Sequence, residues 1–131
     1  MVDGLIVVSS RPTPADALDR LSKIVTDKGL TIFARIDHEA GARAVGLELR
    51  PTALLIFGNA QAGTPVMQAA QTAGIDLPLK VLAWRDANGK NWLGYNDPIW
   101  IGARHGADAK PALAKMAESL AAIVHQVAES L

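Results

Sequence analysis

The sequence predicts a single α+β domain, and three observations favour that class. Its 131 residues fit one domain, which buries roughly two-thirds of the surface of the unfolded chain. The middle, from Leu49 to Tyr95, consists mostly of short apolar or alternating segments separated by turn residues, which is typical of strands. Both ends carry apolar residues at the spacing of longer helices. No repeat, low-complexity tract or linker divides the sequence, so we expect one domain over residues 1–131.

The first third predicts strand, helix, strand and short helix. Gly4–Ser9 is a β-branched run that ends at a turn. Thr13-Pro14 then combines an N-cap residue with proline at the first helical position, and Gly29 stands where that helix should end. Leu30–Ile36 alternates between apolar and other residues, which predicts a strand. A short alanine-rich helix should follow over residues 38–45.

The next segment predicts a central strand and a helix. Thr52–Phe57 is almost continuously apolar, as expected of a strand buried on both faces. We expect Gly58–Gly63 to be a loop, because Thr64-Pro65 repeats the N-cap and proline pattern and marks a helix start. Gly74 should close this helix.

The last third predicts a hairpin and a terminal helix. Leu79–Arg85 and Asn91–Tyr95 flank Asn88-Gly89, a strong hairpin signal, so we expect the two strands to pair antiparallel. Asp97-Pro98 opens a short helical or irregular piece. From Asp108 the sequence reads as one long amphipathic helix. Its apolar stripe contains Leu113, Met116, Leu120, Ile123, Val124 and Val127.

The composition of the chain argues against several classes of function. Thirteen basic and thirteen acidic residues cancel, and basic residues do not cluster, so we expect no nucleic-acid partner. The absence of cysteine excludes disulfides and thiolate chemistry. The apolar run Leu5–Val8 is too short for a signal peptide, and no apolar stretch reaches the ~20 residues of a membrane span. We therefore expect a soluble, cytoplasmic protein that does not bind membranes.

A set of motifs in a fixed order resembles the bacterial and archaeal family called domain of unknown function 302, or DUF302. The motifs are Ile36–His38, Leu49–Asn59, Gly63–Met67, Asp76–Lys80, Val81–Trp84, Asn91–Pro98 and Arg104–Gly106. The resemblance implies a two-layer α+β sandwich with a mainly antiparallel sheet of about five strands and helices packed on one face. It also implies a homodimer, but no reaction and no catalytic residue.

Two histidines are the strongest candidates for chemistry. His38 lies between Asp37 and Glu39, and with His105 this group could supply imidazole and carboxylate ligands to a zinc-like ion. Either histidine could instead act as an acid or base. The favoured interpretation is structural: Asp37 caps a helix, Glu39 is solvated, and each histidine makes an ordinary hydrogen bond. We expect no metal and no cofactor.

The glycine-rich segment Gly58–Thr64 has the context of a phosphate loop, because it follows a buried strand and opens a helix. Thr64 stands where such a loop needs lysine, so we reject nucleoside triphosphate hydrolysis. A weaker hypothesis keeps the free N–H groups of that helix start as a site for a carboxylate or phosphate.

One strand face carries a lysine beside an indole. Lys80 and Trp84 share this face, where they could bind an anion and stack an aromatic ligand, or only pack and snorkel. Trp92 and Tyr95 alternate on the next strand, so only one of them can join Trp84.

Three hypotheses about function remain. The first is a homodimeric small-ligand-binding domain with a pocket drawn from His38, Asn59, Lys80, Trp84, Tyr95 and His105. The second is an enzyme that uses His38 or His105 as acid, base or metal ligand. The third is an assembly module without a ligand. Convergence of these side chains into one cleft would favour the first two.

Overall fold

Five strands form one antiparallel sheet in a computed structural model that describes residues 2–131. The strands are β1 (Leu5–Ser9), β2 (Thr31–Asp37), β3 (Thr52–Gly58), β4 (Leu79–Arg85) and β5 (Asn91–Asn96). The α-helices are α1 (Pro14–Asp27), α2 (His38–Ala44), α3 (Ala60–Ala69), α4 (Pro98–His105) and α5 (Lys110–Glu129). A 3₁₀ helix, η1 (Gln71–Ile75), follows α3.

The sheet order is β1-β5-β4-β3-β2, so β1 and β2 are the edges. The predicted hairpin is confirmed, with Val81 opposite Tyr95 and Arg85 opposite Asn91. The Asp86 carboxylate holds its turn by accepting from the N–H groups of Asn88 and Lys90. The predicted fold class, an α+β sandwich with a mainly antiparallel sheet of about five strands, is confirmed.

Helices α1 and α5 pack on one face of the sheet and against each other. Thr13 caps α1 by accepting from the Asp16 N–H, as the sequence predicted. The predicted apolar stripe of α5 is buried along its whole length. Between these helices and the sheet lies a core that includes Leu18, Leu21, Val25, Leu55, Phe57, Val81, Leu93, Leu120, Val124 and Val127.

The opposite face of the sheet is also apolar. One row across it follows the register Val7, Gly94, Leu82, Leu54 and Ile36. Val7 and Ile36, at the two edges, are exposed, whereas Leu54 and Leu82 in the centre are half-buried.

Helix α3 begins earlier than the sequence predicted, and the predicted loop Gly58–Gly63 is wrong. Asn59 is the actual N-cap, since its side-chain oxygen accepts from the Ala62 N–H at 2.7 Å. Pro65 therefore lies inside the helix rather than at its start. Gly74 does not close α3, which ends at Ala69, but belongs to η1.

Candidate functional site

Three polar side chains from η1, its C-terminal cap and the end of α4 form a hydrogen-bonded chain. The His105 ring uses both nitrogens: Nε2 lies 2.5 Å from Asp76 Oδ2, and Nδ1 lies 2.9 Å from Thr72 Oγ1. The side chains of His105 and Asp76 are 8% and 14% exposed, while Thr72 is exposed. The hydrogen-bonded chain of side chains therefore runs from the shielded Asp76 carboxylate to the hydroxyl of the exposed residue Thr72.

Two cations bind Asp76, one through its carboxylate and one through its backbone carbonyl. Arg104 donates from Nη1 to both of its oxygens, at 2.9 and 2.7 Å. Lys80 donates to the backbone carbonyls of Asp76 and Pro78. Partial burial would raise the pKa of Asp76, but hydrogen bonds from His105 and Arg104 and the positive charge of Arg104 outweigh it, so the pKa is lowered. Asp76 is thus held as a carboxylate.

Desolvation acts in the other direction on Lys80. Burial lowers the pKa of this lysine, and the Asp76 charge offsets part of that effect. Lys80 lies opposite Ile56 in the β3–β4 register. This register places it on the face of the sheet away from α1 and α5. Lys80 and His105 are therefore the two predicted residues that the structure brings to one place, around Asp76.

A cavity of about 350 Å³ opens beside this group. It lies between the end of β3, the first turns of α3, the segment Leu77–Leu79 and α5. Its walls are mainly apolar, and Asn59 and Thr64 supply polar side chains. The apolar lining includes Phe33, Met67, Leu77, Pro78, Leu79 and Met116.

A second, wider cleft of about 760 Å³ adjoins the cavity. The two share Asn59, Ala62, Leu79 and Met116, so they form one continuous depression along α5. In the described part of the chain, Asn59 is the only residue of the predicted pocket that lines the cavity or the cleft. Its side-chain oxygen, Oδ1, already accepts the hydrogen bond that caps α3.

His38 lies away from this region. It begins α2 at the end of β2, where Asp37 pairs with Ala53, whereas Asn59 follows the other end of β3. That separation corresponds to the length of a strand, about 17 Å. Asp37 accepts from the Ala40 N–H and is the helix cap that the structural interpretation predicted. In the described residues no group of three or more His, Asp or Glu side chains could hold a metal ion.

The aromatic candidates separate onto the two faces of the sheet. Trp84 pairs with Trp92, which is the residue that joins it on the face away from α1 and α5. The Trp92 indole N–H donates to Asp86. Tyr95 points to the opposite side and is buried in the core, where burial raises the pKa of its hydroxyl. The six predicted site residues therefore do not share one cleft.

The structure also corrects the hypothesis of an anion site at the start of the helix that follows β3. It depended on free N–H groups after a glycine loop, but Gly63 and Thr64 lie within α3, and Asn59 caps the true start. Sequence reasoning missed Thr72 and Asp76 as partners of His105, and Arg104 as a partner of Asp76. Asp76 lies within the DUF302-like motif Asp76–Lys80, but nothing in its spacing indicates contact with a residue 29 positions away.

The sequence pattern of one family, described as domain of unknown function DUF302, matches residues 6–127. The chain belongs to the DUF302 family. A crystal structure of an uncharacterized conserved DUF302 protein from Bacillus stearothermophilus has the same fold, with a TM-score of 0.84. The two are 20% identical, and the match covers 96% of this chain and 99% of the other.

Curated relatives that this DUF302 domain matches are named as fluoride-specific ion channels. The chain is 48% identical over 102 residues to the fluoride-specific ion channel FluC 1 of Brucella suis. It matches FluC 2 of Brucella melitensis at the same identity. The match covers 78% of this chain but spans only 40% and 38% of those two relatives. In the described part of this chain, no helix has the length and apolarity needed to cross a membrane.

Proposed function

We propose that this DUF302 domain binds a small, largely apolar molecule in the cavity between α3, the segment Leu77–Leu79 and α5, and that it works as a cytoplasmic homodimer. The observation that carries this proposal is the cavity itself. Its volume of about 350 Å³ falls within the range of small-molecule sites, and it combines an apolar wall with a few polar side chains.

The lining indicates the chemistry of the ligand. Phe33, Met67 and Met116 offer polarizable, adaptable surface to an aromatic or branched aliphatic body. Because Asn59 Oδ1 caps α3, its amide N–H₂ group is the part left to donate to a ligand. A neutral molecule with one acceptor fits this arrangement better than a multiply charged one.

The experiment fills the cavity with protein. In Ala62→Trp the new indole occupies the space. We expect the neutral dye Nile red to gain fluorescence with the wild type and to lose that gain with Ala62→Trp. Ala44→Trp is the matched control, because Ala44 is also an exposed helical alanine but lies on α2, outside the cavity. Equal probe binding by wild type and Ala62→Trp would contradict the proposal. A thermal-shift screen of metabolites with the same proteins then identifies the ligand class.

A second candidate function follows from the Brucella relatives. We propose that the domain is an accessory unit of a membrane transport protein, because its matched relatives are named ion channels and it spans only 40% or less of their length. The test is fluoride efflux from vesicles that contain the Brucella suis relative, intact, without the matched stretch, or with this chain in its place. Efflux that is the same with and without the stretch would contradict this role.

The homodimer has a candidate surface. Exposed large apolar side chains concentrate on edge strand β2 and on the connection from α2 to β3: Ile32, Phe33, Ile36, Val45, Leu47 and Leu49. Val45 and Leu47 are 71% and 65% exposed. An apolar edge strand invites pairing with another strand, and a second copy of the same edge meets that need symmetrically.

A further inference from the structure

We infer that Thr72, His105 and Asp76 form a hydrolytic site in which Thr72 is the nucleophile, His105 the general base and Asp76 the carboxylate that orients the imidazole. Its substrates are small activated acyl esters. This site is separate from the cavity: none of the three side chains lines it. The two proposals can therefore fail independently.

The hydrogen bonds define the roles of the two ring nitrogens. A carboxylate only accepts hydrogen bonds, so the 2.5 Å contact to Asp76 Oδ2 requires the proton on His105 Nε2. In the neutral ring Nδ1 is then an acceptor, and the Thr72 hydroxyl lies 2.9 Å from it. An imidazole lone pair directed at a hydroxyl, with the second nitrogen held by a carboxylate, is the arrangement that activates a nucleophile.

Exposure follows the same order. The two groups that must stay aligned, His105 and Asp76, are shielded, while Thr72 is an exposed residue. Arg104 binds both oxygens of Asp76 and so acts as a positioning residue.

The reaction balances with water as the second substrate. Thr72 Oγ1 forms a bond to the acyl carbon while its proton moves to His105 Nδ1, and the C–O bond to the alcohol breaks as the alcohol takes that proton. Water then attacks the acyl-threonine, again giving a proton to Nδ1. The carboxylic acid leaves as Thr72 Oγ1 regains the proton, so the enzyme returns to its starting state.

The experiment uses p-nitrophenyl acetate with the full chain. We expect Thr72→Ala and His105→Gln to lower the catalysed rate by about 100-fold or more, the usual contribution of a nucleophile and base pair. Thr26→Ala and His38→Gln are matched controls: Thr26 is an exposed threonine on α1 and His38 an exposed histidine on α2, both outside the hydrogen-bonded chain and the cavity. They should keep the wild-type rate. Acid quenching should trap an acetyl group on Thr72.

Two results of the rate measurements would overturn the inference. One is a wild-type rate no higher than that of buffer, and the other is a Thr72→Ala rate equal to wild type. Thr72 is exposed, so its truncation leaves the core intact, and melting curves of each variant check this. Thr72→Ser should keep both the activity and the acetyl adduct. An adduct on lysine or on another histidine instead would also overturn the assignment.

Discussion

At the scale of the residue, Asp76 joins parts of the molecule that the chain itself does not join. Its carboxylate accepts from Arg104 and His105 at the end of α4, and its backbone carbonyl accepts from Lys80 on β4. Charged hydrogen bonds of this kind contribute more than neutral ones, and a partner left without its bond costs its full desolvation. The carboxylate therefore holds η1 and α4 together.

Asp76→Asn should lower the free energy of unfolding by about 1–3 kcal/mol at neutral pH. Because the folded-state pKa lies below the usual value of 3.8, the carboxylate's contribution is present above that value and is lost as pH falls through the folded pKa. Urea unfolding from about pH 5 down to about pH 2.5 checks the sign. The gap between wild type and variant should close at the acid end, and a gap that widens there would contradict the assignment.

Gly4 provides a second test at a single position. Its φ is +75°, and an added Cβ would overlap the Trp100 indole. Gly46 has almost the same φ, +77°, but nothing lies within 4 Å of its Cβ position. Both Gly→Ala changes should cost about 1–2 kcal/mol of backbone strain, and Gly4→Ala should cost a further 1–3 kcal/mol or so from overpacking. Thermal unfolding of the two variants, if equal, would show that Trp100 moves aside.

At the scale of the element, most helices and strands could be predicted, because local signals and tertiary packing agree. The caps at Thr13 and Asp37 and the turn at Asn88-Gly89 lie where the sequence predicted them. The predicted start of α3 is wrong because the sequence contains two competing signals for a helix start. Thr64-Pro65 carries the stronger sequence pattern for a helix start. The helix nevertheless begins earlier, because Asn59 at the end of β3 is its N-cap.

This competition makes a direct prediction. Asn59→Ala should destabilise the protein by about 1 kcal/mol, since it removes the cap bond to the Ala62 N–H. Thr64→Ala should be neutral or slightly stabilising, since Thr64 lies within α3 and alanine is the better helix former. Denaturant midpoints of both variants separate the two starts. The reverse order of stabilities would restore Thr64 as the cap.

At the scale of the whole molecule, the fold class and the α5 stripe could be predicted from the sequence, whereas the site could not. Periodicity reports which side of an element is buried, but it carries no information about which elements meet. Thr72 and His105 are 33 positions apart and touch only because α4 packs on η1. His38 and His105 were grouped by chemistry alone, and the sheet places them far apart.

Lysine substitutions on the proposed dimer surface test the homodimer. Ile36→Lys combined with Leu47→Lys should convert a dimer to a monomer, because two charges would enter the apolar surface of edge strand β2 and the α2–β3 connection. Ile75→Lys is the control, since Ile75 is 76% exposed but lies on η1. Light scattering over a range of concentrations measures the mass. A monomeric wild type at every concentration would contradict the dimer.

The segment Asp76–Pro78 belongs to two neighbourhoods at once. Leu77 and Pro78 wall the cavity, while Asp76 orients His105 on its other side. A molecule that shifts this segment as it binds also alters the imidazole, and thermodynamic linkage makes the effect reciprocal. Occupancy of the cavity would then change the equilibrium constant for closing the Asp76–His105 hydrogen bond by the same factor by which closing that bond changes the affinity of the cavity for its ligand.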